Sequence, residues 1–166
     1  MENVSNIIVE RIVMNWNSSK TGGATPMLAS LYIQWTPSSD LGIPILDEQH
    51  RGIVSTINTL HYFSSQGKGF EALLPTFKIM EQYSILHFEL EETLMRNANF
   101  PDYEKHCLAH RELIEKTIKV RNQSTLYKDT RVALAFLKEW WIDHIKGEDR
   151  EYIDWVKKSM LRKNGC

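Results

Sequence analysis

Residues 87–110 read HFELEETLMRNANFPDYEKHCLAH. His87 and Glu91 stand four apart, a short break follows at residues 97–102, and His106 and His110 again stand four apart. Each residue of an α-helix turns about 100°, so side chains four apart share a face. Two consecutive helices would therefore each present a pair of metal-type ligands. The stretch predicts one helix ending near Asn97, a turn at Asn99-Phe-Pro-Asp with helix-stop and helix-start signals, and a second helix from about Tyr103.

The flanking sequence extends this to four long helical segments. Upstream, Ile53, Ile57 and Leu60 have helical spacing and predict a helix over 46–65, with Asp47 as its N-cap and Gly67 and Gly69 closing it. The helix over 70–97 accommodates Pro75 in its first turns, and its expected buried stripe is Leu73, Phe77, Met80, Leu86, Leu90 and Leu94. The third helix is expected over 103–121, a turn over 122–125, a fourth helix over 128–146 and a shorter one over 149–160. Short connections make neighbours antiparallel, which predicts an all-α, up-down-up-down four-helix bundle. Residues 1–34 differ in composition: 17–26 is rich in Ser, Gly and Thr, and 7–14 is short and apolar. They are expected to form a flexible extension or an arm, with residues 35–166 as the helical domain.

Bulk properties exclude several functions. The 166-residue chain has a formal net charge of −1, which does not indicate a nucleic-acid-binding surface. Its two cysteines, Cys107 and Cys166, form no CxxC, so neither a disulfide scaffold nor a zinc ribbon is expected. No apolar run is long enough to span a membrane, and the N-terminus lacks the pattern of a secretory signal. A cytoplasmic, monomeric protein is expected.

The histidines carry the chemistry. His50, His87, His106, His110 and His144 fall one or two per predicted helix, with Glu91 and Asp149 beside them. A single helical His is more often an ordinary core residue than a ligand, and an HxxxE or HxxxH pair is equally well a solvent-exposed pair. The combination is more telling: burying this many polar groups unpaired is costly, and metal coordination removes that cost. His61 is roughly 16 Å along the helix from His50 and cannot share its centre; it belongs to the bundle end. Cys107 points about 100° away from His106 and reads as a structural thiol.

Four motifs resemble the hemerythrin family, in particular its bacterial branch, the bacteriohemerythrins: ILDEQHR at 45–51, HFELEE at 87–92, HCLAH at 106–110 and WWIDHIKGEDREY at 140–152. The resemblance covers about residues 32–157. It implies a left-handed four-helix bundle holding two iron ions in a non-haem di-iron centre that binds O2 reversibly. Matched residue by residue, His106, His110 and His144 correspond to the three-His iron, His50 and His87 to the two-His iron, and Glu91 and Asp149 to the bridging carboxylates. A solvent-derived oxo or hydroxo bridge would complete the site and leave an open position on the His50/His87 iron. The O2 pocket would be lined by Ile53, Phe88, Trp140, Trp141, Ile145 and Tyr152. Trp141 departs from the family, which usually has a smaller aliphatic residue there; the indole either narrows or gates the O2 route, slowing O2 entry and autoxidation, or turns its N–H to a carbonyl and simply packs.

Asp149 follows His144 by five residues, about 140° round a regular helix, so both can face inward only if the helix widens into π geometry or breaks near 146–148. The resemblance implies a non-enzymatic O2 carrier, for storage, transport or delivery to an oxygen-using enzyme. An O2 or redox sensor using the same site is the alternative. A di-iron oxidase is disfavoured, because such bundles use Glu-rich sites with ExxH pairs and this chain has none.

Overall fold

The computed structural model describes residues 31–164, and everything expected of residues 1–30 and of Cys166 lies outside the described residues. A 3₁₀ turn, Pro37–Ser39, leads into α1 (Pro44–Ser65), α2 (Gly69–Ala98), α3 (Tyr103–Tyr127) and α4 (Thr130–Trp140). α4 runs without interruption into a π-helical segment, Trp141–Glu148, and then α5, Asp149–Asn164, so 130–164 forms one long fourth rod. The four rods alternate in direction, and α2 packs against α1, α3 and α5. This is the expected up-down-up-down bundle. Among the described residues no helix is long and apolar enough to cross a membrane.

Local chemistry sets the helix ends, and it corrects several expectations. α1 starts at Pro44, so Asp47 is not its N-cap. The Asp47 carboxylate reaches back from the first turn and accepts the backbone N–H groups of Leu41 (2.6 Å) and Gly42 (3.0 Å). α2 ends on Asn99 in the left-handed conformation (φ 53°), where Phe100 donates its N–H to Met95 and buries its ring.

The turn expected at 122–125 is absent, and α3 continues to Tyr127. Ser124 is fully buried on the inner face, and Thr117 satisfies its hydroxyl on the Leu113 carbonyl within the helix, so polar composition does not end it. The stop comes where Lys128 adopts φ 51°, Asp129 donates back to the Ser124 carbonyl, and the Asp129 carboxylate caps α4 by accepting the Arg131 N–H.

The inner face of α2 also differs from the leucine stripe. Leu73, Phe77 and Met80 are buried as expected, but Leu86 is 64% exposed and Leu90 and Leu94 are only partly covered. The inward row continues instead through Ser84, His87, Glu91 and Met95. Polar groups hold places that an apolar pattern gives to neighbouring leucines.

Two apolar clusters result. One contains Ile53, Ile57, Phe77, Phe88, Leu137, Trp140, Trp141 and Ile145; the other contains Leu46, Met95, Phe100, Tyr152 and Val156. On α1, α2 and the fourth rod the buried histidines and carboxylates fall between members of the two. Ile33 belongs to the first cluster and its N–H donates to Asn58 Oδ1 (2.9 Å), so the end of the segment set apart by composition packs on α1. His61 stacks on Tyr32 at 4.8 Å, away from the other histidines.

Candidate metal centre

The seven candidate ligands converge. His50, His87, Glu91, His106, His110, His144 and Asp149 are each at most 5% exposed. Their donor atoms form two sets, Glu91/His106/His110/His144/Asp149 and His50/His87/Glu91/Asp149, with all atoms of a set within 4.8 Å of one another. Glu91 and Asp149 belong to both. Glu91 Oε1 lies 3.4 Å from His87 Nε2, and its Oε2 lies 3.1 Å from His110 Nε2. Asp149 Oδ1 lies 3.5 Å from His106 Nε2 and 3.4 Å from His144 Nε2, while Oδ2 lies 3.5 Å from His50 Nε2.

These separations are mostly too long for good hydrogen bonds. They are close to the roughly 3 Å between neighbouring ligands of an octahedral first-row ion. The Nε2 atoms of His106, His110 and His144, Glu91 Oε2 and both Asp149 oxygens are buried without any hydrogen-bond partner. Such groups are costly unless something else satisfies them, and imidazole with carboxylate is a donor set that suits iron. The residues present therefore fit a pair of metal ions.

Three of the imidazoles are held in place through their other ring nitrogen. His87 Nδ1 faces Gln49 Oε1 (2.9 Å), His110 Nδ1 faces Glu92 Oε1 (3.0 Å), and His144 Nδ1 faces Glu148 Oε2 (2.6 Å). An acceptor on Nδ1–H leaves Nε2 bare and aimed at a metal. Gln49, Glu92 and Glu148 were not singled out from the sequence, although Glu148 carries a usable signal, four residues after His144. Tyr152 donates its hydroxyl to Glu91 Oε1 (2.6 Å), a fourth such partner.

The π segment supplies the register that a regular helix denies. Asp149 donates its N–H to the His144 carbonyl five residues back, and both side chains are buried. The widening covers 8 residues, more than the local break expected near Gly147. A methyl on Gly147 would sit 3.6 Å from the Ile142 carbonyl, an ordinary contact. Gly147→Ala should thus change stability by about 1 kcal/mol or less and leave metal stoichiometry intact, as checked by urea denaturation and metal analysis.

The six residues expected to line a pocket are all buried, but in two places. Ile53, Phe88, Trp140, Trp141 and Ile145 lie in the first apolar cluster, and Tyr152 lies in the second, against His106 (5.4 Å between ring centres). Phe88 stacks on His110 at 3.9 Å and stands edge-on to His144. Trp141 stands edge-on to His50 at 6.4 Å. Cys107 is buried and belongs to neither donor set; burial, foremost, pushes its thiol pKa up.

Charge is balanced within the cluster. Burial alone would raise the Asp149 pKa, but the imidazoles of His144, His106 and His50 close to the carboxylate hold it well below the usual range. Burial would likewise lower His144, but Asp149 and Glu148 outweigh it and raise it from 6.5 to about 9. A raised His contributes stability that is fully present below its unfolded pKa and lost as pH climbs through the folded value. Protein stripped by a chelator should therefore lose stability between about pH 6.5 and pH 9. Metal-loaded protein should not, since its imidazoles are already deprotonated. Urea midpoints across this range, with and without metal, check both.

An all-α bundle with two sets of buried His and carboxylate donors sharing two carboxylates defines a class of metal-binding four-helix proteins. The family model described as the hemerythrin HHE cation binding domain matches residues 41–156, and the chain belongs to the hemerythrin family. It is 32% identical over 130 residues to the bacteriohemerythrin of Pseudomonas paraeruginosa, covering 78% of this chain and 84% of that protein. It is 30% identical over 127 residues to the bacteriohemerythrin of Stenotrophomonas maltophilia, covering 76% and 82%. With the myohemerythrin of Theromyzon tessulatum the identity is 29% over 119 residues, covering 72% and 89%.

Proposed function

We propose that this chain binds O2 reversibly at a non-haem di-iron centre held by His50, His87, Glu91, His106, His110, His144 and Asp149, and acts as an oxygen carrier rather than an enzyme. The observation that supports this most is the asymmetry of the two donor sets, five residues against four, with Glu91 and Asp149 common to both. One ion would thereby be held by three imidazoles and the other by two. The His50/His87 side, with fewer protein donors, would be the more open to a diatomic ligand. A pair of ferrous ions bound there would supply the two electrons that reversible O2 binding requires.

The protein's own part is to hold and to shield. Gln49, Glu92 and Glu148, each in contact with an Nδ1, keep three imidazoles oriented. Tyr152 holds Glu91 in the orientation that serves both ions. Phe88, Trp141 and Ile145 exclude bulk water, which would otherwise carry protons to the bound ligand and promote irreversible oxidation.

The test is spectroscopic. Purified protein is loaded with iron, counted, reduced without air and then given O2. A visible charge-transfer band that appears with O2, vanishes on deoxygenation and accompanies two irons per chain is the expected result. Immediate irreversible oxidation would overturn carriage, and absence of bound iron would overturn the site.

A further inference from the structure

Beside His144 the surface opens into a groove of about 190 Å³ between α3 and the fourth rod. Its walls carry the carboxylates of Glu112, Glu139, Asp143 and Glu148 against a single cation, Lys116. Lys116 pairs with Glu139 at 3.7 Å, but both side chains are more than half exposed, so the pair offsets little of the field.

The floor of the groove is of another kind. His144 lines it, is 3% exposed, and carries an unpartnered Nε2 inward to the donor cluster, 3.4 Å from Asp149 Oδ1. The buried Trp140 also lines it, and its Nε1 is likewise unpartnered. Glu148 joins the two levels: its side chain is 49% exposed, and its carboxylate contacts His144 Nδ1 at 2.6 Å. Two other faces of the donor cluster are covered by rings. Trp35 lies over Trp141 at 5.5 Å on the His50 side, and Phe100 packs on Tyr152 beside His106. Carboxylate and imidazole both replace the water of a first-row divalent ion. From solvent inward the groove presents exposed carboxylates, then Glu148, then the buried His144.

We propose that this groove is the loading port through which a divalent first-row metal ion reaches the buried donors. Glu112, Glu139 and Asp143 draw the ion from solution, and Glu148 hands it inward as His144 swings out of its contact. This rests on the metal-site reading above and adds the route by which the site is filled. The ion is transferred without redox change; water leaves it as protein donors replace that water.

The experiment is stopped-flow uptake of Co²⁺ by the chelator-stripped full chain, followed by the visible absorption of the bound ion. Wild-type uptake should slow as ionic strength rises from about 0.01 M to about 1 M. Combined Glu112→Gln, Glu139→Gln and Asp143→Asn should slow low-salt uptake roughly tenfold or more, with final stoichiometry unchanged. Combined Glu71→Gln, Asp102→Asn and Asp154→Asn, at exposed positions outside the groove, should leave the rate unchanged. A groove variant with the wild-type rate, equal slowing in both combinations, or salt-independent wild-type uptake would each overturn the port. Absence of Co²⁺ binding at equilibrium in wild type would instead overturn the metal site itself.

Discussion

Glu91→Gln should abolish stable occupancy of both metal positions while leaving the bundle folded. Glu91 is fully buried and belongs to both donor sets, so both of the proposed ions would depend on it. Gln keeps the volume and can still accept the Tyr152 hydroxyl, now 2.6 Å from Oε1. On the other arm it replaces Oε2, 3.1 Å from His110 Nε2, with an N–H₂ group that cannot bind a cation. Partners that merely orient a ligand are worth about 10–100-fold in metal affinity, and a shared ligand should exceed that. Iron per chain should fall from two to below one under conditions that saturate wild type. Metal at a thousandfold excess over its Kd stabilises a protein by about 4 kcal/mol, and that increment should vanish from the urea midpoint of the variant. Full stoichiometry with unchanged affinity would remove Glu91 from the ligand set. Circular dichroism without metal separates loss of the site from loss of the fold.

Trp141→Leu should open the O2 route. The Trp141 ring is buried, edge-on to His50 at 6.4 Å, and held from outside by Trp35 at 5.5 Å. Trp35 is itself latched: its indole N–H donates to Asp40 Oδ1 (3.2 Å), and the Arg51 guanidinium lies 4.7 Å over its ring while pairing with the same carboxylate. Leu removes most of the ring without reproducing that contact. O2 association and autoxidation should both accelerate roughly tenfold, equivalent to about 1.4 kcal/mol off the entry barrier. Stability should fall by about 2–3 kcal/mol from the space left behind. Stopped-flow mixing of the ferrous protein with O2, and the decay of the oxygenated spectrum in air, measure the two rates. If neither rate changes while the stability does, Trp141 is only a packing residue.

The candidate ligands were legible because helix geometry is local. His87 with Glu91, and His106 with His110, share a face wherever the helices end up. The five-residue step from His144 to Asp149 pointed to a change of register for the same reason, though not to its length of 8 residues. The buried stripe of α2 was less legible. A search for apolar periodicity selects Leu86, whereas the rotation of α2 puts Ser84, His87 and Glu91 inward and leaves Leu86 exposed. The end of α3 was misplaced because a polar run resembles a turn, while the stop depends on Lys128 taking a left-handed conformation and Asp129 capping the next helix.

From the sequence alone follow the helical periodicity, the short connections, and which residues of each helix share a face with a histidine. These depend only on positions a few residues apart. Contacts between rods were decided by the tertiary structure, because they depend on each rod's rotation and axial offset against its neighbours. Tyr152 meets Glu91, Gln49 meets His87 and Trp35 covers Trp141 only once those rotations are set. The division of seven donors into two sets sharing Glu91 and Asp149 arises in the same way, since each set draws on more than one rod.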